Sequence, residues 1–245
     1  MSNIKLILLF IFLTSCVAKN VDAHPIPNLP IESFVKVNVS AKIESCVSEN
    51  DRSMCMSQEF QTSGSGFVIG HNKHHTFVMT AAHVCVTEVA PMAKNIVTKV
   101  ETNFLLQNNK KEFFLATVYK IPKEWPDKSI DLCILMTEKL TNMPSIKLAD
   151  AAPKLGETVY NIASPGGFFF PPSTPILSGH YSGNMNELHC LITVPAMGGS
   201  SGSPVLNKDG HLVGVIFAAN VQLHHLSVSM CYSVVRDFVI RNSKF

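Results

Sequence analysis

Charge is scarce in this chain. Only 16% of its 245 residues are Asp, Glu, Lys or Arg, and the formal net charge is +2. No basic stripe or acidic block stands out, so no nucleic-acid partner is expected, since phosphate binding rests on clustered Lys and Arg. Long hydrophobic runs are missing too. The apolar stretch Leu6 to Leu13 has eight residues, far short of the roughly 20 that a spanning helix needs. There is no internal repeat at a solenoid period.

What is present favours a packed β protein. Hydrophobic residues make up 46% of the chain, enough for a substantial core in one large or two small domains. Val, Ile, Phe and Thr recur in short runs separated by Gly, Pro, Asn and Ser, which is an all-β pattern. The first residues read differently. Lys5, the apolar run and Leu13-Thr14-Ser15-Cys16 together make an export signal over residues 1–16. The Leu-Thr-Ser-Cys ending also resembles a bacterial lipobox, which would make Cys16 a lipidated membrane attachment point. Ordinary cleavage after Ala18 or Ala23 is the alternative. Residues 17–32 hold Pro25, Pro27 and Pro30 and read as an extended tether.

Export places the other cysteines in an oxidising compartment, periplasmic, secreted or at a membrane surface. Cys46, Cys55, Cys85, Cys133, Cys190 and Cys231 make an even set. Sequence cannot choose among their pairings. A local Cys46–Cys55 bridge closing a hairpin around Val47 to Met54 is the best single expectation.

Along the chain, Phe34 to Ile43 reads as a strand, and Ser63-Gly64-Ser65-Gly66 as the small-residue start of another, placed where a second backbone passes close. His71, His74 and His75 sit in a polar turn. No cysteine or carboxylate nearby completes a ligand set, so neither metal nor cofactor is expected. The strand Thr76 to Thr80 then ends in Ala81-Ala82-His83. Asp131 stands inside the apolar run Ile130 to Leu135, where an unpaired charge is costly and an imidazole N–H is a natural partner. Asp127 and Asp150 lie in polar contexts and are poorer candidates. Phe168-Phe169-Phe170-Pro171-Pro172 is an apolar loop that could cover a cleft or simply pack on the surface. Finally, Gly198-Gly199-Ser200-Ser201-Gly202-Ser203-Pro204 wedges serines between glycines on a sharp turn. Glycines let consecutive N–H groups point one way, which suits a developing oxyanion. Arg236 to Arg241 reads as a short amphipathic C-terminal helix.

The three motifs Thr80-Ala81-Ala82-His83, Asp131-Leu132-Cys133-Ile134 and Gly199-Ser200-Ser201-Gly202-Ser203-Pro204 resemble, in order, the signatures of trypsin/chymotrypsin-like serine peptidases. The compact bacterial and viral branch is the most similar, over roughly residues 32–245. This resemblance implies two six-stranded antiparallel β-barrels, with the site in the cleft between them. The barrels would span about 33–150 and 155–235, with a helix at about 234–243. It also implies protein or peptide substrates. His83 would be the general base and then acid, Asp131 its orienting carboxylate, and Ser201 the nucleophile. The N–H groups of Gly199 and Ser201 would form the oxyanion hole. Ile216, Phe217 and Ala218 would pair with substrate backbone, and Pro195 would lie at the pocket base. With no acidic residue there, a small or medium apolar residue before the scissile bond is expected.

Three positions depart from the family pattern. Ser200 replaces the aspartate that pairs with a new N-terminus on activation, so no such zymogen switch is expected. Ser203 replaces a usual glycine. Cys85 lies two residues after His83 rather than beside it, so the branch's disulfide next to the histidine cannot be assumed. An α/β-hydrolase elbow centred on Ser200 fails, because that fold places its acid and histidine after the serine. A non-enzymatic alternative is an idle protease-fold binding module at the cell surface.

Overall fold

The computed structural model describes residues 27–49, 52–123, 130–220, 222–223 and 225–242. The export segment, Cys16, the first part of the tether and Asp127 lie outside the described residues. Twelve strands among those residues close into two six-stranded antiparallel barrels.

The first barrel is built from β1 (Phe34–Glu49), β2 (Arg52–His71), β3 (His75–Thr80), β4 (Val97–Asn108), β5 (Phe113–Lys120) and β6 (Cys133–Glu138), in the order β1-β2-β3-β6-β5-β4. Strand alternation explains its inner face. Val35, Val37, Val39 and Ala41 are buried, and the polar residues between them are less so. The second barrel uses β7 (Thr158–Ile162), β8 (Ile176–Asn184), β9 (His189–Ile192), β10 (Pro204–Leu206), β11 (Leu212–Ala219) and β12 (Ser227–Met230), in the order β10-β11-β12-β9-β8-β7. Helix α2 (Tyr232–Asn242) follows. A shared core docks the barrels. Phe34, Phe67 and Phe77 of the first meet Ile162, Leu206, Val215 and Met230 of the second, with Val235 and Phe238 of the helix.

Three expectations change. The β1–β2 hairpin is far longer than Phe34 to Ile43 suggests, and register runs from Phe34↔Phe67 out to Glu49↔Arg52. Ser63 to Gly66 therefore sit within β2 and do not begin it. They do meet a second backbone: a Cβ on Gly64 would lie 2.8 Å from the Val84 side chain and 3.1 Å from the Ser201 carbonyl. Strand β12 was not foreseen. Ser227 and Ser229 on it are both buried, and the Ser227 hydroxyl donates to the Val194 carbonyl at 2.9 Å. The end of the tether is docked, with Leu29 buried and Ile31 packed against the shared core.

The six cysteines among the described residues are all paired, as Cys46–Cys55, Cys85–Cys133 and Cys190–Cys231. The first is the hairpin bridge expected from sequence; the others could not have been chosen from it. No helix among the described residues is long and apolar enough to cross a membrane.

Candidate active site

The single-turn helix α1 (Ala82–Cys85) follows the buried strand β3 and presents His83 at the barrel edge. Asp131 lies just before β6, and its side chain is only 7% exposed against 37% for His83. The two meet twice. His83 Nδ1 lies 2.6 Å from Asp131 Oδ2, and the His83 backbone N–H donates to Oδ1 at 3.0 Å. The second bond fixes the carboxylate's rotation, so the first fixes the ring's. With Nδ1 engaged, Nε2 is the nitrogen left for proton transfer.

Cys85 and Cys133 each lie two residues beyond His83 and Asp131, and their disulfide staples α1 to β6. Val84 occupies the place beside His83 where the family's branch carries a cysteine. Its isopropyl group packs on Gly64, filling that space without a covalent bond.

Ser201 lies on the turn before β10, and both its carbonyl and the side chain of Val84, the neighbour of His83, close on Gly64. Gly199 (φ +91°) and Gly202 (φ +86°) hold left-handed backbone that side chains rarely adopt. There is no room for side chains either. A Cβ on Gly199 would lie 2.4 Å from the Ser164 carbonyl oxygen, and one on Gly202 2.2 Å from that of Ser65. The Gly198 carbonyl accepts from Gly166 N–H at 2.6 Å. In a trans peptide the next N–H points the opposite way, so that bond turns the Gly199 N–H away from Gly166. Among the described residues, neither it nor the Ser201 N–H donates a backbone hydrogen bond. The Ser201 hydroxyl donates to the Phe217 carbonyl at 3.4 Å, and no hydrogen bond joins it to His83.

A set of buried serines that carried no motif shapes this turn. Ser65 of β2 donates its N–H to the Ser201 carbonyl at 2.8 Å and its hydroxyl to the Gly199 carbonyl at 2.8 Å. The same hydroxyl accepts from Ser164 N–H at 3.0 Å, and Thr80 Oγ1 donates to the Ser65 carbonyl at 2.8 Å. Glycine-serine composition marked Ser65 as a close-approach site but gave no sign of its partners.

A cavity of about 350 Å³ adjoins Ser201, lined by Ala196, Met197, Ser200, Ile216, Phe217 and Ala218 among others. Its lining also includes Asn220 and carries no charged side chain. Pro195, expected at its base, is exposed and does not line it, and Ala196 lines it instead. In the aromatic loop, Phe169 is buried edge-on against Phe34, while Phe168 and Phe170 are exposed. His71 is engaged by Thr76 Oγ1 and the Met143 carbonyl.

A family model described as a trypsin-like peptidase domain matches residues 64–215, more than half of the chain. No curated protein matches. Among solved structures, the active form of the Rv3671c protease from M. tuberculosis is similar with a TM-score of 0.59 at 19% identity, over 86% of this chain and 81% of that one. Its inactive Ser-to-Ala mutant aligns with a TM-score of 0.58, also at 19% identity, over 87% and 88%. A serine endoprotease from Yersinia pestis aligns with a TM-score of 0.58 at 17% identity, over 87% of this chain and 65% of that one. At such identities these likenesses speak for the fold alone.

Proposed function

The chain belongs to the trypsin-like peptidase domain family, and on that premise we propose that it is a serine endopeptidase working through an acyl-enzyme. The observation that supports this reading is the doubly bonded His83–Asp131 pair, with Val84, the neighbour of His83, and the Ser201 carbonyl both closing on Gly64. A serine hydroxyl is a poor nucleophile until a base takes its proton. Rotation about the Ser201 Cα–Cβ bond releases the Phe217 carbonyl and brings Oγ to His83 Nε2. As Oγ bonds to the scissile carbonyl carbon, its proton passes to Nε2. When the C–N bond breaks, that proton goes to the leaving amine. Water then repeats the sequence, releasing the acid and restoring Ser201. The carbonyl oxygen's negative charge rests on the Gly199 and Ser201 N–H groups, where one donor is typically worth about 10²–10³ in rate.

The uncharged cavity beside Ser201 supports a small or medium apolar residue before the scissile bond, with β11 residues Ile216, Phe217 and Ala218 pairing with substrate backbone. Three disulfides fit an oxidising compartment. An exported protein, free or anchored through a lipidated Cys16, accords with this and is checked by the mass of the mature N-terminus.

One observation favours the idle-module alternative: the Ser201 hydroxyl is bonded to Phe217 and not to the base. Fluorophosphonate labelling of the mature protein separates the two. Labelling that is lost in both Ser201→Ala and His83→Ala establishes an activated serine. Folded wild-type protein that fails to label would sink the enzyme reading.

A further inference from the structure

The inner face of the first barrel does not stop where the barrel stops. Residues 35, 37, 39, 41 and 43 of β1 share one face by strand alternation, and register sets Phe60 opposite Ala41 and Thr62 opposite Val39 on it. Through Ala41 the β1 side of this face is buried. Beyond it the hairpin projects, clipped by Cys46–Cys55, and the face is left open. Phe60 is 47% exposed and Val100, opposite Ile43 on β4, 38%.

This open face forms one wall of a groove of about 360 Å³. The other wall is the segment after α1, tied to β4 by the Thr87–Thr102 hydroxyl pair at 2.9 Å. Ala41, Ile43, Phe60 and Val86 give the groove apolar walls, and His83 and Glu88 are its ionisable members. The groove therefore begins at the proposed general acid and runs outward along the hairpin. It is separate from the cavity beside Ser201, since the two share no lining residue.

We propose that this groove binds the part of a polypeptide substrate that follows the scissile bond, and that Phe60 and Ile43 select apolar residues there. The inference rests on the endopeptidase reading above. Proton delivery from His83 to the leaving amine requires the departing chain to pass beside that ring, and the groove starts at it. Phe60 is five residues along β2 from Ser65, the residue bonded to the Ser201 carbonyl. That is roughly 17 Å at the usual strand rise, so the groove reaches the first five or so residues of an extended leaving segment. Glu88 adds a bias against acidic residues in that segment.

The test uses internally quenched peptides identical up to the scissile bond, followed by leucine- and phenylalanine-bearing, serine- and glycine-bearing, or aspartate-bearing segments. Wild-type protein is expected to favour the apolar segments by about tenfold or more in kcat/KM, the scale of apolar-pocket discrimination, with aspartate segments poorest. Phe60→Lys and Ile43→Asp should each reduce that ratio to under about threefold. Leu155→Lys, on the second barrel and away from the groove, should keep it. No preference in wild-type protein, or one that survives both groove substitutions, overturns the proposal. Fluorophosphonate labelling run alongside separates the two failures. Labelling without the preference removes the groove alone, and no labelling removes the parent reading and this one with it.

Discussion

The two barrels contribute to the cleft on unequal terms. The first supplies His83 and Asp131 already joined, with both hydrogen bonds and the Cys85–Cys133 staple internal to it. The second supplies Ser201 on a turn whose carbonyls are held by Ser65, a residue of the other barrel. One half is assembled locally; the other is conditional on docking. The resting geometry shows the same asymmetry, because the imidazole is fixed while the serine hydroxyl still points at Phe217. Preorganisation in this fold is thus a property of one barrel and a loan to the other.

Substitutions can break that contrast, taken here from the largest effect to the smallest. Asp131→Asn should keep the fold yet lower kcat by about 10⁴, since the ring loses its correct tautomer. Peptide hydrolysis with circular dichroism as the fold check measures this, and a loss below tenfold would mean the pair is not the organising half. Replacing Cys85 and Cys133 together by alanine should cost up to about 4 kcal/mol on the chain-entropy estimate for so long a loop. Denaturant unfolding reads that loss, and activity should fall in step if the staple aligns His83 with Asp131. The Cys46 and Cys55 pair closes a much shorter loop, so its double alanine variant should lose at most about 2.5 kcal/mol. Fluorophosphonate labelling should be unaltered in it, because the clip lies at the far end of the hairpin. Ser65→Ala should cost about 1–3 kcal/mol, mainly by leaving the buried Ser164 N–H without its acceptor. Its diagnostic readout is a kcat drop of about tenfold with KM nearly constant, since loosened donors weaken the transition state more than the ground state. An equal rise in KM would instead mark Ser65 as merely structural.

How far the sequence could be read followed the range of the interaction concerned. His83, Asp131 and Ser201 stood out because each sits in a local context that chemistry makes unusual: a histidine after two alanines, a carboxylate in an apolar run, a serine among glycines. Cys46–Cys55 was legible for the same reason, its partners being close along the chain. Ser65 and Ser164 were not, although they lie in the middle of the site. A buried serine is recognisable only through its acceptor, and here the acceptors lie 134 and 35 residues away. Strand β12 was missed on similar grounds, since Ser227 finds its acceptor on Val194 across the sheet. The hairpin's length escaped because its outer half is too polar and too exposed to show the alternation that marks a half-buried strand.

On the endopeptidase reading, the junction at Ser65 also bears on when hydrolysis can begin. A nascent or exported chain with only its first barrel folded would hold a well-aimed histidine and nothing for it to act on. With only the second folded, the glycine turn would lack the donors that clamp its carbonyls. Cleavage would thus wait on the docking of the two barrels. The cell that makes such a chain would be shielded by its topology, and the interval between synthesis and barrel docking would serve as a built-in safety period.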